Sequence, residues 1–134
     1  MREIKFRGKP IEDYGDIKWF YGGIDLYYDE KLAYISAPYN GHVQVEWESI
    51  GQYTGLKDKN GREIYEGDII LQEEQIPGLY DELEPFIGEV KMIDGTWCIV
   101  NEKRKEARNL FSETATNTIL GDIYRNPELL EAAE

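Results

Sequence analysis

Apolar and polar residues alternate with a period of two over short stretches of this chain, and a turn signal follows nearly every stretch. Ile4 and Phe6 alternate with charged neighbours and predict a first strand, after which Gly8, Pro10 and Gly15 break the pattern. Ile17 to Tyr21 forms a second strand, ended by Gly22-Gly23. Ile24 to Tyr28 and Lys31 to Ser36 pair as a hairpin across Asp29-Glu30. Beyond a turn at Pro38, Asn40 and Gly41, His42 to Trp47 alternates again, with Val43, Val45 and Trp47 on one face.

The second half continues in the same style. Ile69 to Gln72 is a strand, Ile87 to Ile93 and Thr96 to Val100 form a hairpin about Asp94-Gly95, and Thr118 to Tyr124 is a last strand after a loop beginning at Ser112. Glu102 to Leu110 reads as a short helix, because its Glu, Lys, Arg and Ala residues favour one. Pro127 opens a C-terminal helix over Glu128 to Ala133, with Asn126 placed to cap it. Between the strands lies an acidic excursion, residues 73–86, which Pro77-Gly78 splits into a loop with one helical turn around Leu79 to Leu83.

Regularly spaced short strands predict a mainly β fold, a small barrel or sandwich with minor short helices. The order of elements after Glu66-Gly67-Asp68 looks like an SH3-type barrel in the C-terminal half, by analogy of fold. No linker separates the halves, so residues 1–134 read as a single domain. Its first 50 residues supply an aromatic-rich antiparallel part, and residues 51–134 the barrel-like part.

The densest information lies in Tyr53 to Ile70, YTGLKDKNGREIYEGDII. Asn60-Gly61 is the pair that a type I′ hairpin turn demands, since both central residues take positive φ. Gly67-Asp68 is a second turn that releases the chain into Ile69-Ile70-Leu71. Together with the opening Met1 to Arg7 and the closing Ile119 to Leu130, the segment Gln52 to Ile70 resembles the YopX family of phage and prophage proteins. The three blocks stand in the family's order and span nearly the whole chain; Leu71 to Glu89 matches no family pattern. The resemblance implies a small bacterial cytoplasmic protein of prophage origin that self-associates, and it carries over no activity and no catalytic residue.

Composition narrows the choices. With 41% hydrophobic and 13% aromatic residues the chain is too apolar for disorder. A single cysteine, Cys98, excludes an internal disulfide and a cysteine-based zinc site, and with one histidine, His42, no spacing predicts a metal ligand set. No apolar stretch reaches membrane-spanning length and the N-terminus lacks a signal peptide's apolar core, which predicts a soluble, cytoplasmic protein. The net charge of −12 disfavours nucleic acid as a partner. Two local basic groups run against that charge. Arg2, Lys5, Arg7 and Lys9 read as the solvated face of the first strand, and Lys103, Arg104, Lys105 and Arg108 are diluted by Glu102 and Glu106.

Candidate chemistry is sparse. Asp58, Glu63, Glu66 and Asp68 concentrate carboxylates of the kind hydrolases use, but Asp58 and Asp68 sit at turns where an aspartate binds backbone N–H groups. A calcium loop starting at Asp58 fails at its fifth position, Arg62, and its twelfth, Ile69. Cys98 lies between Trp97 and Ile99 in a strand, where a buried inert thiol is the ordinary case. No phosphate loop, dinucleotide fingerprint or nucleophile elbow is present, so no catalytic residue, metal or cofactor is expected.

The aromatic residues offer more. Trp19, Tyr21, Tyr27, Tyr28, Tyr34 and Tyr39 crowd both faces of the N-terminal strands, more than so small a sheet can bury, and aromatic-rich exposed sheet is an interface composition. These residues are the expected interaction surface; filling a core between two sheets is their alternative use. The expected function is therefore non-enzymatic interaction or assembly through a homo-oligomer, with a host or phage protein as a possible partner. Two other readings remain: an acidic effector that mimics a polyanion to occupy a host nucleic-acid-binding protein, and a nucleic-acid-binding barrel. Asn60, Gly61, Gly67 and Asp68 are expected to be structural turn residues.

Overall fold

The computed structural model describes residues 3–75 and 84–131, so the helical turn expected at Leu79 to Leu83 and the last residues of the C-terminal helix lie outside it. The chain divides into two compact units, Met1–Gly55 and Leu56–Glu134. Both are mainly β with antiparallel pairing.

In the first unit, β1 (Phe6–Gly8), β2 (Phe20–Tyr27), β3 (Leu32–Ala37), β4 (Gly41–Val45) and β5 (Gly51–Lys57) take the order β4-β3-β2-β1-β5. Strict alternation sets the core: Phe20, Ala33, Ile35, Ala37, Val43 and Val45 pack inward with Phe6, Ile24, Leu26, Trp47 and Ile50. The far edge of β4 is not left open. Residues following β1 run along it, where Glu46 N–H donates to the Lys9 carbonyl (2.8 Å), Ile11 N–H donates to the Gln44 carbonyl (3.2 Å), and Pro10 bridges Val45. Covering an edge in this way removes a row of donors and acceptors that could recruit another strand.

Gly22-Gly23 does not end the second strand, as the sequence implied; β2 runs straight through it to Tyr27. Gly22 is there because the neighbouring strand comes too close for a side chain: a Cβ on it would clash with the Ser36 carbonyl oxygen. The glycine marks a close backbone approach inside a strand rather than a terminus.

The second unit holds β6 (Glu63–Tyr65), β7 (Asp68–Glu74), β8 (Phe86–Ile93), β9 (Thr96–Asn101), β10 (Glu106–Asn109), β11 (Ala115–Asp122) and the single-turn α1 (Glu128–Glu131). Its five-stranded sheet is ordered β10-β9-β8-β7-β11 over a core of Ile64, Ile70, Phe86, Val90, Ile99 and Leu110. β10 and β11 stand at opposite edges, so among the described residues this sheet does not close into the SH3-type barrel anticipated for the C-terminal half.

The helix expected over Glu102 to Leu110 is instead a turn and a strand. Lys105 N–H closes the turn on the Glu102 carbonyl (3.2 Å), with Lys105 at φ 55°, and β10 then pairs with β9 from Glu106 opposite Asn101 to Asn109 opposite Cys98. Local propensity loses to tertiary gain here. As a strand, the segment satisfies the backbone of β9, buries Leu110 completely, and lays the Arg104 and Arg108 guanidiniums over the Phe86 ring at 5.4 and 4.6 Å. Asn126 precedes α1 as expected, but its side chain turns away from the helix and accepts from Asp122 N–H at 3.4 Å.

Gly22→Ala should lower unfolding free energy by about 2–4 kcal/mol, because the strand pairing must open to admit the methyl group. Urea denaturation of the two proteins measures the difference; equal midpoints would show that the approach of Ser36 is not limiting.

Candidate functional site

The signature stretch holds a heavily bonded carboxylate. Asp58 follows β5, and its Oδ1 accepts from Asn60 N–H and Arg62 N–H, both at 2.9 Å. Its Oδ2 accepts from Ile119 N–H of β11 (3.1 Å) and from the Arg62 guanidinium (3.2 Å). The same guanidinium donates onward to the Ile119 carbonyl at 2.8 Å, and Lys59 N–H donates to the Asn117 carbonyl at 2.9 Å. The Asp58 side chain has no exposed surface. Burial alone would push its carboxyl pKa up, but the N–H groups of Ile119, Arg62 and Asn60, with the Arg62 charge, outweigh burial and hold it below the ordinary carboxylate range.

This arrangement corrects the turn type. Gly61 has φ 84°, but Asn60 does not share positive φ, and Gly61 N–H bonds to the Asp58 carbonyl at 2.9 Å. The pair is therefore the end of a type I turn with a glycine bulge rather than a type I′ turn, and the Asp58 carboxylate organises it. At the second turn, Gly67 has φ 93° and Asp68, buried, accepts Tyr65 N–H at 2.8 Å. Asp58 and Asp68 thus spend their lone pairs on backbone donors. A calcium ion would have to displace those bonds.

The expected interaction residues divide. Trp19 is only 8% exposed and lies under the Arg7 guanidinium at 4.1 Å, so it belongs to the interior. The same contact buries Arg7, which is therefore not part of a solvated basic face, because a guanidinium stacked on an indole gives up water at low cost. Tyr21 and Tyr27 are a little under half exposed, Tyr28 is 72% exposed, and Tyr39 is fully exposed in the left-handed region at φ 68°. Tyr34 is partly buried.

Two of these, Tyr27 and Tyr34, meet on the outward face of β2, β3 and β4. Alternation sends Asp25 and Tyr27 to that face from β2, Tyr34 from β3, and His42 from β4, with Asp25 directly opposite Tyr34. Tyr27 and Tyr34 pack edge to face at 5.9 Å, and the Tyr34 ring lies 4.7 Å from the His42 ring. Asp25 Oδ2 accepts from Tyr27 O–H at 3.3 Å and lies 3.5 Å from His42 Nε2. The Asp25 charge raises the Tyr27 phenol pKa, first by Coulomb repulsion of the phenolate and then through the hydrogen bond. Sequence reasoning named the tyrosines but not Asp25, and took His42 only as the start of a strand. The signal for both was the alternation of β2 and β4, which fixes their shared face.

Cys98 is buried in β9, its thiol 3.9 Å from Asn109 Oδ1, as an inert strand cysteine would be. A separate groove of about 540 Å³ in the first unit is lined by Ile17, Trp19, Tyr21, Pro38, Lys5 and Asn40, among others. No helix among the described residues is long and apolar enough to cross a membrane, and no group of three His, Cys, Asp or Glu side chains gathers there around a common point.

Asp58→Ala would strand three backbone N–H groups and should cost on the order of 3 kcal/mol. Because the folded carboxyl pKa lies below the unfolded value, the stability it contributes is complete above the unfolded value of 3.8 and is lost as pH falls through the folded pKa. Wild-type stability should therefore fall in acid more steeply than that of the variant. A pH series of chemical denaturation checks this, and parallel curves would contradict it.

Comparison with known proteins bears on the family and the fold. The family model described as YopX protein matches residues 15–131. The crystal structure of protein yopX from Bacillus subtilis superposes with a TM-score of 0.59 at 21% identity, covering 100% of each chain, a likeness of fold. No curated protein matches the chain. With the family match extending from before β2 through α1, the chain belongs to the YopX protein family.

Proposed function

We propose that this protein is a non-enzymatic interaction protein that associates with a second copy of itself through the outward face of β2, β3 and β4. The observation that carries the reading is the collection of Tyr27, Tyr34 and His42 rings on one exposed face. Tyrosine tolerates water through its hydroxyl and gives a large apolar area at small entropic cost when covered, which suits a surface that alternates between solvent and a partner. A two-fold contact would place the same rings opposite one another.

The acidic-effector reading draws on the net charge of −12. Part of its acidic run is committed to the sheet, since Glu73 and Glu74 lie in β7 and the Glu74 carboxylate accepts from the Thr114 hydroxyl at 2.9 Å. Nucleic acid is a poorer partner for the second basic group. Arg104 and Arg108 both pair with Glu106, at 3.4 and 3.0 Å, and are occupied with Phe86.

Light scattering coupled to size-exclusion chromatography should show a dimer or higher oligomer that Tyr27→Ala with Tyr34→Ala shifts toward monomer by roughly tenfold or more in dissociation constant. A wild-type protein that stays monomeric at high concentration would remove the self-association reading. A dimer untouched by the double variant would move the interface elsewhere.

A further inference from the structure

On the same face, but independently of whether it docks a second copy, we infer that Asp25, Tyr27 and His42 form a binding site for a first-row divalent metal ion, zinc or copper(II). His42 Nε2 and Asp25 Oδ2 are 3.5 Å apart, and Tyr27 Oη is 3.3 Å from that same carboxylate oxygen. Two ligand atoms each about 2.1 Å from a tetrahedral metal stand about 3.4 Å apart, so both separations already equal a tetrahedral edge.

The donor set selects the ion. One imidazole nitrogen with carboxylate and phenol oxygens suits zinc or copper(II), whereas calcium needs six to eight oxygens and magnesium keeps most of its water. The remaining coordination positions would be filled by water, because Asp25 and His42 are each 51% exposed along the side chain. On binding, Asp25 and neutral His42 each give a lone pair to the ion. Tyr27 gives its phenol oxygen, and the O–H proton that now bonds to Asp25 passes to solvent.

Support for the ligands comes from the strands. Asp25 and Tyr27 are two residues apart on β2, and His42 reaches them from β4 across the intervening Tyr34 ring, which holds the imidazole at 4.7 Å. Ligands carried on paired strands with a packed ring between them are held more firmly than ligands on loops. The overall charge of −12 also raises the local concentration of cations.

Isothermal titration of zinc chloride into metal-stripped, tag-free protein should give one site per chain, with affinity reduced tenfold or more in both His42→Ala and Asp25→Asn. Copper(II) titration should produce a visible phenolate-to-copper charge-transfer band that Tyr27→Phe abolishes. All three positions are solvent-facing, so circular dichroism should show the variants folded. No saturable binding, or equal binding by wild type, His42→Ala and Asp25→Asn, would overturn the site. A charge-transfer band that survives Tyr27→Phe, or no band in wild type, would remove Tyr27 from it.

Discussion

The second unit is organised around one buried charge. The Asp58 carboxylate accepts from three backbone N–H groups and one guanidinium, and one of those N–H groups comes from Ile119, 61 positions away. An ionised carboxylate removed from water is costly unless donors replace its hydration, and here they do so completely enough to keep the group charged. The bonds fasten the turn between β5 and β6 to β11. They also satisfy the side of β11 that faces away from β7, so this edge of the sheet is sealed from within the unit.

The same device recurs. Asp68 accepts Tyr65 N–H at the turn into β7, and buried Asp122 accepts Tyr124 N–H and Arg125 N–H at 3.0 and 2.9 Å while holding the Arg125 guanidinium at 2.7 Å. Each aspartate sits where the chain changes direction and N–H groups would otherwise be unpaired. Two of these turns also knit together: Gly67 N–H bonds to the Val90 carbonyl and Ile123 N–H to the Gly67 carbonyl, both at 3.0 Å. The family's sequence blocks at Gln52 to Ile70 and Ile119 to Leu130 thus contain the two ends of one hydrogen-bonded assembly, which accounts for aspartates that look catalytic when read along the chain.

Much of the fold was legible because strand alternation and turn chemistry act locally. The hairpins at Asp29-Glu30 and Asp94-Gly95 form where the residues demanded, and the inward positions Val43 and Val45 are buried as their period requires. What escaped was set by neighbours distant in sequence. Gly22 is explained only by Ser36 on the next strand, β10 only by the open side of β9, and the burial of Arg7 only by Trp19. The turn at Asn60-Gly61 was correctly placed and wrongly typed, since the Asp58 side chain supplies bonds that the backbone alone does not reveal. At the candidate site the tyrosines were visible in composition, while the meeting of Asp25 with His42 required the register of three strands.

The position of β1 has a consequence for how the first unit comes into being. Phe6 pairs with Gly22 on one side and with Gln52 on the other, so the earliest strand of the chain lies between β2 and one of the last to be made in that unit. During synthesis β1 can join the hairpins that follow it, yet one of its sides stays open until Gln52 has left the ribosome. Because Glu46 already bonds to Lys9, the loop that this pairing closes is short, and its entropic cost is small. A nascent chain halted between β4 and β5 would therefore present β1 paired on one side only, an exposed edge that the next few residues can cover.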